Sequence, residues 1–303
     1  MSIATVQAGL AIRLASRTKA LQPQTSGLAP SHLQANLIVL PQRYASDFRL
    51  LCQRNPVPCP LLAESSSPGA FTSLISHLRP TPSSSPIPLT SDIDLRHDTS
   101  KYLIYRDSRL IEEVLDLESH RQSDHVGFLI GCSYSFEDAL ASAGLPPRHT
   151  TLGRHVSMYR TKLPLCPAGV FSRGTYVVSM RPYLVEDVEK VSDITRRYVA
   201  THGEPIAWGW EGMRRLGIED ISTPEWGDVP LTEDVKGVFA EGVEGEVVPV
   251  FWGCGVTPQE AVMRAGLDGT VMGHAPGHMI VLDVKDHEVL RVGWRVENTP
   301  TWP

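Results

Sequence analysis

The fifteen residues from Gly131 to Leu145, GCSYSFEDALASAGL, return 122 positions later as GCGVTPQEAVMRAGL, from Gly253 to Leu267. A chain that writes one pattern twice is constrained to build the same local unit twice. Each copy follows an apolar triplet, Phe128-Leu129-Ile130 or Val250-Phe251-Trp252, of the kind that forms a buried strand. Aligning residues 128–145 with 250–267 gives six identities in eighteen positions. After each Gly-Cys comes a helix start: Ser135 with Asp138 in the first copy, and Thr257 with Glu260, a capping box with Pro258 at the first helical position, in the second. Gly144 and Gly266 close the two helices. The expected unit is a strand, a Gly-Cys turn and a helix. Its thiol sits at the strand's carboxyl end beside free helix amides, which attract anions and lower a thiol's pKa. Two such half-sites related by a pseudo-twofold axis would offer two thiols to one ligand. A buried cysteine used as a small apolar filler is the competing explanation.

Other short apolar runs read as strands at Asn36–Leu40, Lys101–Tyr105, Val126–Ile130, Thr175–Met180, Val247–Trp252 and His278–Val284. A helix is expected over Tyr183–His202, with acids early, Arg196 and Arg197 late, and Gly203 as the stop. Alternating strands and helices give an α/β fold of two domains. Residues 1–150 with 247–303 form the main domain carrying both repeated units, and 151–246 a smaller inserted α+β domain. Residues 65–90, half serine and proline with five prolines in 26 positions, read as a surface insertion that could be deleted without harm. Thr232–Glu246 reads as a second loop region without consequence.

Arg13, Arg17 and Lys19 precede the first acid, Asp47, as in a mitochondrial presequence. The plainer expectation is an amphipathic helix with a stripe of Val6, Leu10, Ile12, Leu14 and Leu21. The five cysteines follow no apolar leader, which argues for a reducing, cytoplasmic setting rather than a disulfide framework, with the mitochondrion as the alternative. A net charge of -6 weighs against nucleic acid, and no apolar run is long enough to span a membrane.

Cys132 and Cys254 are the first candidates for catalysis, with Glu137 and His278 as further acid–base groups. GHAPGHM, Gly273 to Met279, is a tight loop, because Pro276 and Gly277 break any helix between His274 and His278. It lacks recognisable spacing for further metal ligands, so no metal is assigned, and His274 reads as a substrate donor. Arg181 and Arg160 could each clamp a carboxylate. Gln34 and Asn36 could orient a polar substrate, and Thr257 could serve it from a helix N-terminus. No phosphate loop or dinucleotide fingerprint is present.

The segments TSGLAPSHLQANLIVLP, FRLLCQRNPVPCPLL, HVGFLIGCSYSFEDAL, GRHVSMYRT, VVSMRP, VFWGCGVTPQEAV and HAPGHM together resemble the D-glutamate cyclase, or hydro-lyase, family. The resemblance implies a two-domain α/β fold and a cofactor-independent lyase that converts D-glutamate to 5-oxo-D-proline and water. Lys162 stands where the bacterial pattern has asparagine and could change which acid is taken. Two other readings fit the same residues: a cofactor-free two-thiol amino-acid racemase or epimerase, and a non-catalytic carboxylate-binding subunit. The implied partner is a small amino-acid or dicarboxylate substrate, with homo-oligomerisation left open.

Overall fold

The computed structural model describes residues 9–21, 24–79 and 84–290. Their strands are β1 His32–Pro41, β2 Leu61–Ser65, β3 Leu74–Ser76, β4 Tyr102–Arg106, β5 Arg109–Val114, β6 His125–Gly131, β7 Ser157–Pro164, β8 Thr175–Leu184, β9 Ala207–Trp208, β10 Val247–Gly253, β11 Thr270–His274 and β12 Ile280–Lys285. Helices are α1 Gly9–Arg17, α2 Ala45–Arg54, α3 Glu137–Ser142, α4 Arg148–Thr151, α5 Val188–Thr195, α6 Gly209–Leu216 and α7 Val256–Arg264. The fold is a mixed α/β structure with two sheets. The larger has eight strands in the order β3-β2-β6-β1-β11-β4-β5, with β12 also on β1; the smaller runs β7-β8-β10-β9. All ladders between these strands are antiparallel.

Strand β1 is buried along its whole length because both faces of the large sheet are covered. Leu33, Ala35, Leu37 and Val39 enter one apolar cluster, Ile38 and Leu40 the other, as the two-residue period of a strand requires. Gln34 and Asn36 therefore share the face of Ile38 and Leu40. The expected grouping placed Val247–Trp252 with residues 1–150. Its hydrogen-bonding partners are β8 and β9 instead, so the two Gly-Cys strands end in different sheets.

Three expectations are corrected. The helix over Tyr183–His202 is much shorter: β8 continues to Leu184, a 3-10 turn follows, and α5 covers only Val188–Thr195. Leu184 is held in register with Val247, and a second 3-10 turn, Val199–Thr201, ends at His202 in the left-handed region. Tertiary pairing of an apolar strand here outweighs the charge pattern of a helix. The serine-rich stretch also packs. Strand β3 pairs with β2, and Phe71, only 5% exposed, and Leu78 join the core of the large sheet. We expect Phe71→Ala to cost about 3–5 kcal/mol in chemical denaturation; a loss near zero would restore the dispensable-loop reading. Likewise Phe239, inside the supposed loop Thr232–Glu246, is fully buried in the small sheet's core.

The N-terminal helix docks against β12. Its buried face is Gly9, Ile12, Arg13 and Ser16; of the expected stripe Ile12 is buried and Leu21 packs against its cluster, Leu14 is exposed, and Val6 lies outside the described residues. Arg13, fully buried, donates to Val281 O at 2.8 Å and to both carboxylate oxygens of Asp283 at 3.0 Å. Gly9 is required there because a Cβ would collide with the carbonyl of Leu282. This helix is an integral layer of the fold. None of the described helices is long and apolar enough to cross a membrane.

Candidate active site

The two Gly-Cys turns meet. Cys132 follows the last residue of β6 and Cys254 the last of β10, and both line one cavity of about 210 Å³. In both turns the backbone amide two residues on, Tyr134 or Val256, acts on the cysteine sulphur, although a 3-10 turn follows Cys132 at once whereas α7 starts at Val256. The glycines have a steric cause. A Cβ on Gly131 would strike the carbonyl of Ala200, and one on Gly253 would lie 3.3 Å from the ring of His202. The segment from Ala200 to His202 thus passes under both strand ends. A Cβ on Gly255 would collide with the amide of Asn36, which reaches across from β1 and donates to Gly131 O at 3.1 Å. Asn36 therefore ties the first turn to the second.

The helix starts differ from the expected caps. Ser135 lies in a 3-10 turn, Ser133–Phe136, and its Oγ accepts from the amide of Gln34 at 3.0 Å. Thr257 lies inside α7, and its Oγ1 bonds both the amide and the carbonyl of Val177, fastening α7 to β8. Both hydroxyls serve tertiary contacts, which a local pattern cannot reveal.

Of the expected site residues, Cys132, Cys254, Asn36 and His274 line the cavity. Six do not. Thr257 faces Val177. Gln34 is buried beside Ser135, and its Oε1 has no hydrogen-bond partner among the described residues. His278 sits behind the loop, with Nδ1 2.7 Å from Ser100 Oγ. Arg160 is half-buried at the surface, paired with Glu260 at 2.8 Å and Glu225 at 3.4 Å and lying over the Trp226 ring. Arg181 is fully buried and pairs with Glu137, so neither is free to meet a ligand. Glu137 also meets His149 at 3.2 Å. Lys162 is exposed against Glu219, far from any role in choosing a substrate.

Burial decides the titration of the site. It pushes the Cys132 thiol up to about 12, with Cys254 and Glu137 adding to the rise against the Tyr134 amide and Arg181. Burial raises Cys254 to about 11, and here the Val256 amide and Arg181 both oppose it. The expected lowering by helix amides is present but too weak against desolvation. Burial would also raise Glu137, but His149 and Arg181 outweigh it and hold the carboxylate at about 2. His274 is depressed to about 4, first by burial and then by His278. Its Nδ1 accepts the Leu37 amide at 3.1 Å, at the place where β1 changes partner from β12 to β11. Nδ1 also lies 3.3 Å from the Leu37 carbonyl; with Nδ1 as the acceptor of the amide, the ring proton is on Nε2.

His202 is likewise depressed to about 4 by burial, against hydrogen bonds to Val57 and Gly131. Both rings are neutral when folded and charge near pH 6.5 when unfolded. Their stabilisation is complete above pH 6.5 and is lost as pH falls towards 4, by on the order of 3 kcal/mol each. Glu137 extends the loss from about 4.5 down to about 2. Denaturant titrations at pH 7 and pH 4.5 should show this drop; equal stabilities at the two values would contradict it.

Several cavity residues had no signal of their own in the sequence. Ser133 and Tyr134 follow Cys132 directly, and Gln259 lies on the first turns of α7, its amide 3.0 Å from His274 Nδ1. His155 and Asp228 come from loops far apart in the chain, joined by the His155 amide donating to Asp228 Oδ2 at 2.8 Å. Among the described residues, no lysine or arginine lines the cavity. A larger open groove of about 690 Å³ beside α5 contains none of the candidate residues.

The D-glutamate cyclase family model matches residues 126–283, a span that contains both Gly-Cys turns and the His274 loop. A Schizosaccharomyces pombe protein named "Putative hydro-lyase" is 41% identical over 270 residues, 88% of this chain and 81% of that one. Proteins with the same name from Bordetella pertussis (43% over 277 residues, 91% and 90% of the two chains) and Rubrobacter xylanophilus (42% over 266 residues, 87% and 91%) are similarly close. The chain belongs to the D-glutamate cyclase family. Among solved structures, a nitrogen repressor-like protein of Methanococcus jannaschii aligns over 86% of this chain and 89% of that one at 9% identity with a TM-score of 0.31, too low to describe the same fold. In this member of the D-glutamate cyclase family the two turns converge on one cavity.

Proposed function

We propose that this protein is a lyase that closes D-glutamate into 5-oxo-D-proline, releasing water, in the cavity between the two Gly-Cys turns. The single observation that carries this reading is the meeting of two protonated thiols in a buried cavity with no lysine or arginine among its described lining residues. Family membership supports the lyase class, and the family's own description supplies the substrate.

Cyclisation needs a neutral α-amine and a γ-carboxyl that can lose its hydroxyl. A carboxylate is a poor acyl acceptor, whereas a carboxylic acid is a competent one. A buried cavity without a cation disfavours the charged carboxylate and so raises its pKa. One proton moves from the substrate's ammonium to its γ-carboxylate with no net change of charge. The amine nitrogen then bonds to the γ-carbon, and the hydroxyl departs with one amine proton as water. A thiol that gives its proton to the departing hydroxyl becomes the thiolate that takes the amine's proton, so one cysteine relays both. The second thiol and the Nε2–H of His274 are donors for the oxygen that gains charge in the tetrahedral intermediate. The α-carboxylate remains charged and would lie towards the N-terminus of α7. The duplication of the two units, read from the sequence, would explain why the two thiols are so alike.

Two thiols facing one cavity also suit a racemase, in which one sulphur removes the α-proton and the other returns one. That chemistry needs a resident thiolate, and burial opposes it at both positions. Incubation with D- and L-glutamate in deuterium oxide separates the alternatives by NMR. The expected product is the lactam with its α-proton retained. Exchange of the α-proton without lactam would make the protein a racemase. Neither reaction, with ligand-dependent stabilisation, would make it a carboxylate-binding protein.

A further inference from the structure

Arg181 was expected to touch the substrate, and its guanidinium is instead consumed inside the protein. Nε and Nη2 hold Glu137, Nη1 donates to Ser179 Oγ at 3.0 Å, and Nη2 donates to Ser133 Oγ at 3.1 Å. The guanidinium also lies over the rings of Phe136 and Trp252, 5.1 and 5.3 Å from their centroids, which fixes its plane. Ser133 lines the cavity and is only 3% exposed. Because its oxygen accepts from Arg181, its hydroxyl hydrogen must point elsewhere. No acceptor for it exists among the described residues, whereas a buried hydroxyl ordinarily finds one.

On the other side of the cavity, the residue after the second cysteine is Gly255. The space its Cβ would need is filled by the Asn36 amide. Asn36 Nδ2 faces two carbonyls, Gly131 at 3.1 Å and Ile130 at 3.4 Å. Two acceptors on that side fix the amide's orientation, so Oδ1 is the free end, and it carries no hydrogen bond among the described residues. The two turns thus present unlike groups: a hydroxyl with its donor hydrogen unused and an amide oxygen that can only accept.

We propose that Ser133 Oγ–H and Asn36 Oδ1 are the groups that orient the substrate, Ser133 donating to a carboxyl oxygen and Asn36 accepting from the amine. Arg181 is a positioning residue that acts through Ser133. The ligand class is an acid that carries both an amino and a carboxyl group. This assignment rests on the cyclase reading for the identity of that acid, D-glutamate, but not for the polarity of the site. A deaminated acid loses the partner of Asn36 and keeps that of Ser133.

The test is a binding comparison of D-glutamate with glutarate, by calorimetry, on wild-type protein, Ser133→Ala and Asn36→Ala. Wild type should bind D-glutamate at least about tenfold more tightly than glutarate, since a hydrogen bond from a charged donor contributes about 1.5–3 kcal/mol. Ser133→Ala should weaken both ligands by a similar factor. Asn36→Ala should weaken D-glutamate alone and bring the ratio near one. The wild-type ratio stands even if Asn36→Ala fails to fold. Equal wild-type affinities, an unchanged glutarate affinity in Ser133→Ala, or binding of neither acid would overturn the assignment. Selective binding without lactam formation would uphold it and sink the cyclase reading instead.

Discussion

Of Cys254→Ser and Cys132→Ser, the one that removes the relaying thiol should lower the rate of lactam formation at least roughly a hundredfold, the usual loss when a positioned proton donor is removed, and the other should lower it less, because serine still donates a hydrogen bond. Serine occupies nearly the same space but holds its proton far more tightly than a thiol, so it cannot become the base that the amine requires. Both cysteines are buried at the cavity wall and serine keeps nearly their volume, so stability should change little. Iodoacetamide gives an independent readout. Exposed Cys166 should react first. Cys254 should follow, and Cys132 should be slowest, because Cys254 and Glu137 raise the Cys132 thiol further, while a backbone amide and Arg181 act on both thiols. A bound dicarboxylate should protect both cavity thiols and leave Cys166 untouched. Near-normal turnover in both serine variants would make the thiols structural, and the proton relay would have to be sought at His274 and the surrounding amides.

Arg181→Met should destabilise the fold by about 3–5 kcal/mol, because it takes the paired guanidinium away from the buried Glu137 carboxylate. His149, 3.2 Å from the other carboxylate oxygen, is the partner that remains. The double variant Arg181→Met with Glu137→Gln should recover much of the loss, since no charge is then buried unpaired. Its turnover should stay low, because Ser133 has still lost the donor that holds its oxygen. Thermal or denaturant unfolding gives the first effect and the rate of lactam formation the second. If the single and double variants were equally unstable, packing of the guanidinium between Phe136 and Trp252 would matter more to the fold than its charge. Gly131→Ala probes the same region from the backbone side. A Cβ there meets the carbonyl of Ala200, which cannot swing away as a side chain can, so overpacking should cost more than at Gly253, where the contact is 3.2 Å.

The six strand segments were legible because a buried strand declares itself locally. Runs such as Leu37-Ile38-Val39-Leu40 and Val250-Phe251-Trp252 have few alternatives once turn residues bound them. The Gly-Cys turns were legible because the sequence writes Gly-Cys after an apolar triplet twice. Chemistry at the site was less so. A sequence shows residue types, and the expected arginines, Glu137 and His278 were of the right type, but only tertiary packing decides which side chains face a void and which face each other. Arg181 was spent on Glu137, and Arg160 on Glu260 and Glu225. Phe71 and Phe239 show the same limit for the core: each stands alone in a polar stretch, and only the sheets they meet make them interior. The sequence by itself determined the two thiols, the turns that carry them and the family. The tertiary structure decided that the turns end in different sheets yet meet at one cavity. It also decided that burial, stronger than the helix amides, keeps both thiols protonated. Desolvation depends on atoms brought from everywhere in the chain, and no local pattern encodes it.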